Sequence, residues 1–175
     1  MTASLRARPD STEFKSFYAG YVASVPEGDI VDVIRAEGKE LAEALAKIPE
    51  SKGSHRYAAD KWTVKTLIGH MIDAERIFTY RALRIARGDS TPLPGFDENA
   101  FAETAGSDTR TVADLAAEMA CVREATVRIF ASFPDDVWSR RAVVNNGEIT
   151  VRAIAYVATG HTKHHLAVLR ERYGV

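Results

Sequence analysis

The sequence predicts an all-α protein built as a single four-helix bundle, and three observations carry that prediction. Four segments repeat their apolar residues at the 3.6-residue period of a helix, each with its own start or stop signal. One short stretch around an Asn-Gly pair has the look of a strand pair, and nothing but helices is long. At 175 residues the chain suits one domain, large enough to bury about two thirds of its unfolded surface.

Taken in order, residues 1–12 are polar and read as a loose tail ahead of a domain spanning 13–175. Phe14, Phe17, Tyr18, Tyr21 and Val22 give a short amphipathic lead-in that ends near Pro26-Glu27-Gly28. The first long helix should run from Asp29 to Ile48, with Val31, Ile34, Leu41, Leu45 and Ile48 at helical spacing and Pro49 as the stop. The second should follow Thr63 as N-cap and reach Arg87, where Gly88 ends it. The third spans about Thr111 to Phe133, capped by Thr109 or Thr111, with Leu115, Met119, Val122, Ile129 and Phe130 as its stripe. The fourth runs from Thr150 to Tyr173 before Gly174, and its stripe is Ile154, Val157, Ala158, His161, His165, Val168 and Leu169.

The connections add to this. Residues 89–108 link the second and third helices, and so long a link is uncommon unless it serves function or topology. Extended, it reaches roughly 65 Å, enough to pass along a helix of ~35 Å and start the next one parallel to it. Ala142 to Ile149 resembles a small hairpin around Asn146-Gly147.

Composition excludes several function classes. A formal net charge of -1 argues against a general nucleic-acid binder. No apolar run approaches the ~18 residues needed to cross a bilayer, and the opening residues lack the apolar core of a secretory signal. The lone Cys121 cannot form an internal disulfide and reads as core packing on the third helix, so a cytoplasmic setting is expected.

The chemistry concentrates in histidines. His161 and His165 lie four apart on one helix, so both imidazoles can reach a single cation. Both interrupt the apolar stripe of the fourth helix, where an unsatisfied polar group is costly. His70 does the same on the second helix, among Leu67, Met71, Ala74, Ile77 and Phe78. One shared ligand explains three such interruptions economically, against the plainer reading of separate buried and exposed histidines. His164 offers a competing i, i+3 pair with His161 but sits at the edge of the stripe, where an outer or subunit contact suits it better. His55 reads as an exposed loop residue.

Three neutral imidazoles with no thiolate leave a divalent ion most of its charge and an open position, the pattern of a catalytic rather than a structural site. A water or thiol would lose its proton more readily there. Imidazoles suit zinc, nickel, copper or iron, and zinc or nickel is expected. Asp73, one turn beyond His70, could orient a ring or take a proton, against the plainer reading of a solvated or paired carboxylate. Glu75 lies about 140° round the helix from His70 and is a weaker candidate. Arg76, Arg81, Arg84 and Arg87 read as a solvated or paired basic flank. The 89–108 segment, with Leu93, Phe96, Asp97 and Phe101, is a candidate wall or lid, and Asp97 a candidate for proton handling.

The run Lys61-Trp62-Thr63-Val64-Lys65-Thr66-Leu67-Ile68-Gly69-His70-Met71-Ile72-Asp73-Ala74-Glu75-Arg76 resembles the helix-two signature of the DinB-like (YfiT-type) superfamily of metal-dependent hydrolases. Arg81 to Asp89, Pro92 to Asp97, and Val151 to Tyr156 running into Gly160 to His165 look like the same group, so the similarity covers residues 14–173. The resemblance implies an up-down-down-up bundle, in agreement with the long crossover. It implies three histidine ligands, which fall on His70, His161 and His165. It also implies a homodimer, and an activity in the range of metal-dependent hydrolases, thiol transferases that use low-molecular-weight thiols such as bacillithiol, and a mycothiol-dependent isomerase. The expected function is therefore a metal-dependent enzyme setting water or a low-molecular-weight thiol against a small electrophile. The alternative is a non-catalytic, stress-related bundle that metal merely braces.

Overall fold

The structure is a computed structural model and describes residues 5–175. Its helices are α1 (Ala19–Ser24), α2 (Ile30–Leu45), α3 (Val64–Ala86), α4 (Glu98–Thr104), α5 (Val112–Ala131) and α6 (Val151–Val168), with a two-stranded sheet, β1 (Arg141–Val144) and β2 (Gly147–Thr150), before α6. The bundle is α2, α3, α5 and α6. No helix among the described residues is long and apolar enough to cross a membrane.

Each bundle helix begins on a side-chain cap that satisfies a backbone N–H left open by the first turn. Asp29 accepts from Val31 N, Thr63 from Thr66 N, Thr111 from Asp114 N and Thr150 from Ala153 N, all within 2.9–3.1 Å. Gly88 follows α3 with φ +82°, and Gly174, at φ +66°, closes a single π-helical turn, Leu169–Tyr173, that extends α6.

Cross-helix pairs fix the directions. Along α3 and α5 the partners rise together, Arg76 with Glu118 at 2.6 Å and Thr79 with Thr126 at 3.2 Å, in line with Thr66 and Asp108 just before α5 at 3.2 Å. These helices are parallel. So are α2 and α6, through Glu37 with Lys163 at 3.1 Å and Glu40 with Arg170 at 2.9 Å. Partners on α3 and α6 fall against each other, from Glu75 with Thr162 to Trp62 with Tyr173. The topology is up-down-down-up, and residues 89–108 form the crossover that a parallel α3–α5 pair requires.

The crossover is ordered in detail. Leu93 pairs alongside Val144, donating to Val143 O and accepting from Asn145 N, each at 2.9 Å. Beyond it, Asp97 caps α4. The hairpin turns on Asn145-Asn146, whose φ values of +49° and +59° make a type I′ turn. The turn is therefore one residue earlier than Asn146-Gly147, and Gly147 begins β2. Of the stretch 1–12, residues 1–4 lie outside the described residues. Arg6 O accepts from Ile30 N at 3.2 Å, and the Arg8 guanidinium donates to the carbonyls of Val22 and Val25.

Two apolar clusters fill the bundle. One gathers Ile34 of α2, Phe78 of α3, Phe130 of α5 and Ile154 of α6, with Trp138 and Tyr156; the other gathers Leu41, Leu67, Leu115, Met119, Leu166 and Tyr173. Between them every bundle helix turns polar or bare: Gly38, His70 with Glu75, Arg123 with Thr126, and Thr159 through His165. Arg123 of α5 crosses this waist to Glu75 at 2.6 Å and donates to Thr162 Oγ1 at 2.7 Å. Gly38 makes room for it, since a Cβ there would lie 2.6 Å from Arg123 Cγ. Cys121, read above as a core residue, is exposed instead, because α5 turns its Arg123 and Val127 face inward.

Two stability results follow. Arg123→Met should destabilise by about 3–5 kcal/mol in urea denaturation, because it strands a buried carboxylate, and adding Glu75→Leu should recover most of that loss. Gly160 of α6 lies so close to the Tyr21 backbone that a Cβ would collide with its carbonyl. Gly160→Ala gains about 1 kcal/mol of helix propensity, but overpacking costs about 1–3 kcal/mol, so it should lower the denaturation midpoint; a raised midpoint would refute the seating of α1 on α6.

Candidate metal centre

His70 stands two turns into α3, past the Thr63 cap, while His161 and His165 stand one turn apart on antiparallel α6. The three rings converge through Nε2: His161 Nε2 lies 3.1 Å from both His70 Nε2 and His165 Nε2. Candidate ligand atoms of all three lie within 4.8 Å of one another. Nitrogens bound at 2.0–2.1 Å in a tetrahedral shell sit about 3.3 Å apart, so the spacing observed is close to that of a shared ion. Three Nε2 atoms pointing at one place cannot all satisfy each other with hydrogens.

Burial keeps the rings neutral. His70 and His161 are buried and His165 half-buried. Desolvation pulls the pKa of His70 down to about 4 and that of His165 to about 3, where His70 and His164 add to the effect. His161 is driven well below its ordinary value by burial and then by its histidine neighbours. A neutral imidazole is the form that binds metal. Aromatic rings set the orientation: Trp62 lies 4.8 Å from His70 between centroids, and Phe78 and Tyr21 each 5.6 Å from His161. Nδ1 of His165 is buried without a hydrogen bond among the described residues.

The triad forms the floor of a cleft of about 320 Å³, a volume at the small end of ligand pockets. Its walls come from the lead-in (Tyr18, Tyr21), from α3 (Phe78, Arg81) and from the crossover (Phe96, Glu98). Burial raises the pKa of Tyr18 and Tyr21, the latter further through the charge of Glu98. His164 lines the cleft but stays outside the triad, with its ring 5.6 Å from Tyr21. His55 is exposed beside Tyr173.

Neither aspartate read as a proton-handling candidate touches the histidines. Asp73 is half-buried, its pKa raised by desolvation against the pull of Arg76. Asp97 is exposed and accepts from Asn99 N and Ala100 N as the cap of α4; the carboxylate on the cleft wall is its neighbour Glu98. Glu75 is buried in its ion pair with Arg123, where burial raises its pKa despite the cation. Sequence reasoning missed Arg81, read as part of a solvated or paired flank. It is buried, donates from Nη2 to Pro94 O at 2.7 Å and lines the cleft. Its position eleven residues after His70, nearly in line on the helix, was the available signal.

The sequence profile of the DinB superfamily matches residues 34–169. Among solved structures, YfiT from Bacillus subtilis, described as a "probable metal-dependent hydrolase with an unusual four-helix bundle topology", is 18% identical over 98% of this chain and 99% of that one, with a TM-score of 0.73. The mycothiol-dependent maleylpyruvate isomerase is 14% identical with a TM-score of 0.67, over 79% of this chain and 58% of that one. At these identities the likeness is one of fold. A comparison with curated protein sequences gives no match.

The depressed histidines predict how the metal-free protein responds to acid. In the unfolded chain an imidazole takes its proton below about pH 6.5, whereas folded His70 and His165 take theirs only near pH 4 and pH 3. The unfolded state thus binds more protons between those limits, and stability falls as pH drops through that window. Asp73 and Glu75 shift the opposite way, so the measurement is the difference between wild type and His165→Gln. Wild type should lose stability relative to the variant from pH 6.5 to 4, and a constant difference would refute a neutral buried His165.

Proposed function

The chain belongs to the DinB superfamily, and on that footing we propose that it is a metal-dependent enzyme in which His70, His161 and His165 hold one divalent ion. The observation that carries this reading is the convergence of three buried or half-buried imidazoles on the floor of a small cleft, with His161 Nε2 3.1 Å from the Nε2 of both His70 and His165. When bound, such an ion supplies an electrophilic centre that lowers the pKa of a water or thiol brought to its free position.

The protein's own residues do the rest. His161 and His165 from α6 and His70 from α3 would hold the ion at the floor of the cleft. Trp62 and Phe78 pack against the rings and keep bulk water from the floor. The cleft admits a small electrophile beside the nucleophile, water for hydrolysis or a low-molecular-weight thiol for transfer. The mycothiol dependence of a protein with this fold supports the thiol. Zinc or nickel fits the imidazole set by affinity order. Asp73, near His70 in sequence, is the proposed proton-handling group, with Asp97 the second candidate through its place at the start of α4 beside Glu98. We place the enzyme in the cytoplasm as a homodimer, with no nucleic-acid or membrane partner.

The test is His161→Ala. Native wild-type protein should carry about one ion per chain and convert a chromogenic electrophile with a supplied thiol or water. The variant should lose the ion and the turnover while keeping its helical circular dichroism. Wild-type protein that binds zinc and nickel but turns over no thiol or water reaction would favour the other role, an ion bracing the bundle between its two apolar clusters.

A further inference from the structure

We propose that Arg81 is the anchor for an anionic group, a carboxylate or an equivalent oxyanion, on a small substrate with an aromatic or apolar body. The proposal takes the cleft above the histidines as the substrate pocket and so rests on the reading above. It adds the chemical class of what enters.

Two arginines are buried among the described residues, and they differ in one respect. Arg123 meets the carboxylate of Glu75. Arg81, only 5% exposed, has no carboxylate within ion-pair distance among the described residues; its hydrogen bond there is the one from Nη2 to Pro94 O, and its guanidinium also lies over the Phe96 ring at 5.8 Å. A carbonyl can equally be held by a neutral donor, so the bond to Pro94 O leaves the charge of Arg81 unmatched. An enclosed positive charge without a counter-charge is costly, and a cation–π contact offsets only part of that. The guanidinium keeps a donor fork of the shape that meets a carboxylate in bidentate fashion.

The position suits the task. Arg81 stands eleven residues beyond His70 on α3, almost in line with it and about 16 Å along the axis. Its side chain lines the cleft whose floor is the triad, and long side chains on a helix lean toward its N-terminal end, here the end that carries His70. A molecule anchored at Arg81 therefore extends between Tyr18 and Phe96 toward the histidines. Glu98 is a charge neighbour of Tyr21, whereas the neighbour of Arg81 is the Tyr18 phenol. The place of the anion is therefore the Arg81 side of the cleft, beside the Tyr18 phenol.

The experiment uses phenylacetate and its neutral isostere phenylacetamide as probes, titrated into the full chain both metal-free and zinc-loaded. Fluorescence and the ¹⁵N resonance of the Arg81 Nε–H are followed. Metal-free wild type should bind phenylacetate at millimolar concentration in preference to the amide, with a shifted Arg81 resonance. Arg81→Met should weaken phenylacetate by at least about tenfold and leave the amide unchanged, while Arg81→Lys should restore part of the difference. Equal binding of acid and amide overturns the proposal, as does phenylacetate binding that needs zinc and leaves the Arg81 resonance unmoved. Should Arg81→Met not fold by circular dichroism, the wild-type resonance alone decides. Zinc content of the same samples keeps the two readings apart: an anion-selective, zinc-free protein would sink the metal enzyme and leave the anchor standing.

Discussion

A belt of polar groups crosses the bundle at its waist, and the rest of the fold answers to it. Each bundle helix is apolar above and below this level and gives up apolar contact at it: Gly38 on α2, His70 and Glu75 on α3, Arg123 on α5, Thr159 to His165 on α6. Burying so many polar atoms is tolerable only if they meet one another. His70, early in α3, meets His165, late in α6, because those helices are antiparallel. Glu75 meets Arg123 because α3 and α5 run parallel in matching register. The long crossover is thus the covalent consequence of where the polar groups have to lie.

Much of this was legible along the chain. Three threonines and an aspartate mark the helix starts, and the histidines stand out because they break apolar stripes of known period. Pairings between helices were less legible. Nothing local says that Glu75 faces Arg123 rather than water, because that depends on the register of α3 against α5. Cys121 looked like core for the same reason: an alanine-rich helix such as α5 has a blunt apolar face, and its rotation is set by Arg123 inserting beside Gly38. Asp97 precedes Glu98-Asn99-Ala100 and so carried a legible cap signal, but a carboxylate in a long connection invites a catalytic reading. Arg81 was hidden by its company, three arginines of one flank, and its burial comes from a distant segment folding over it.

The cleft joins two chemistries. Its floor is a set of neutral lone pairs kept unprotonated by desolvation, suited to an electrophilic ion. Its wall is aromatic rings with one cation, Arg81, and one carboxylate, Glu98. The floor belongs to α3 and α6, held by helix geometry and by packing on both sides. The wall belongs largely to segments outside the bundle.

That separation has an evolutionary consequence, seen in the pairing of Leu93 with β1. The chain carrying Pro94, Phe96 and Glu98 is fastened to the hairpin that precedes α6, through Val143 and Asn145, and Gly95 packs against Asn145. Exchanges at the exposed positions of these two connections would redraw the entrance while the pairing of the bundle helices with one another stays as it is. The histidine floor would keep its geometry while the shape and polarity of the entrance above it drift.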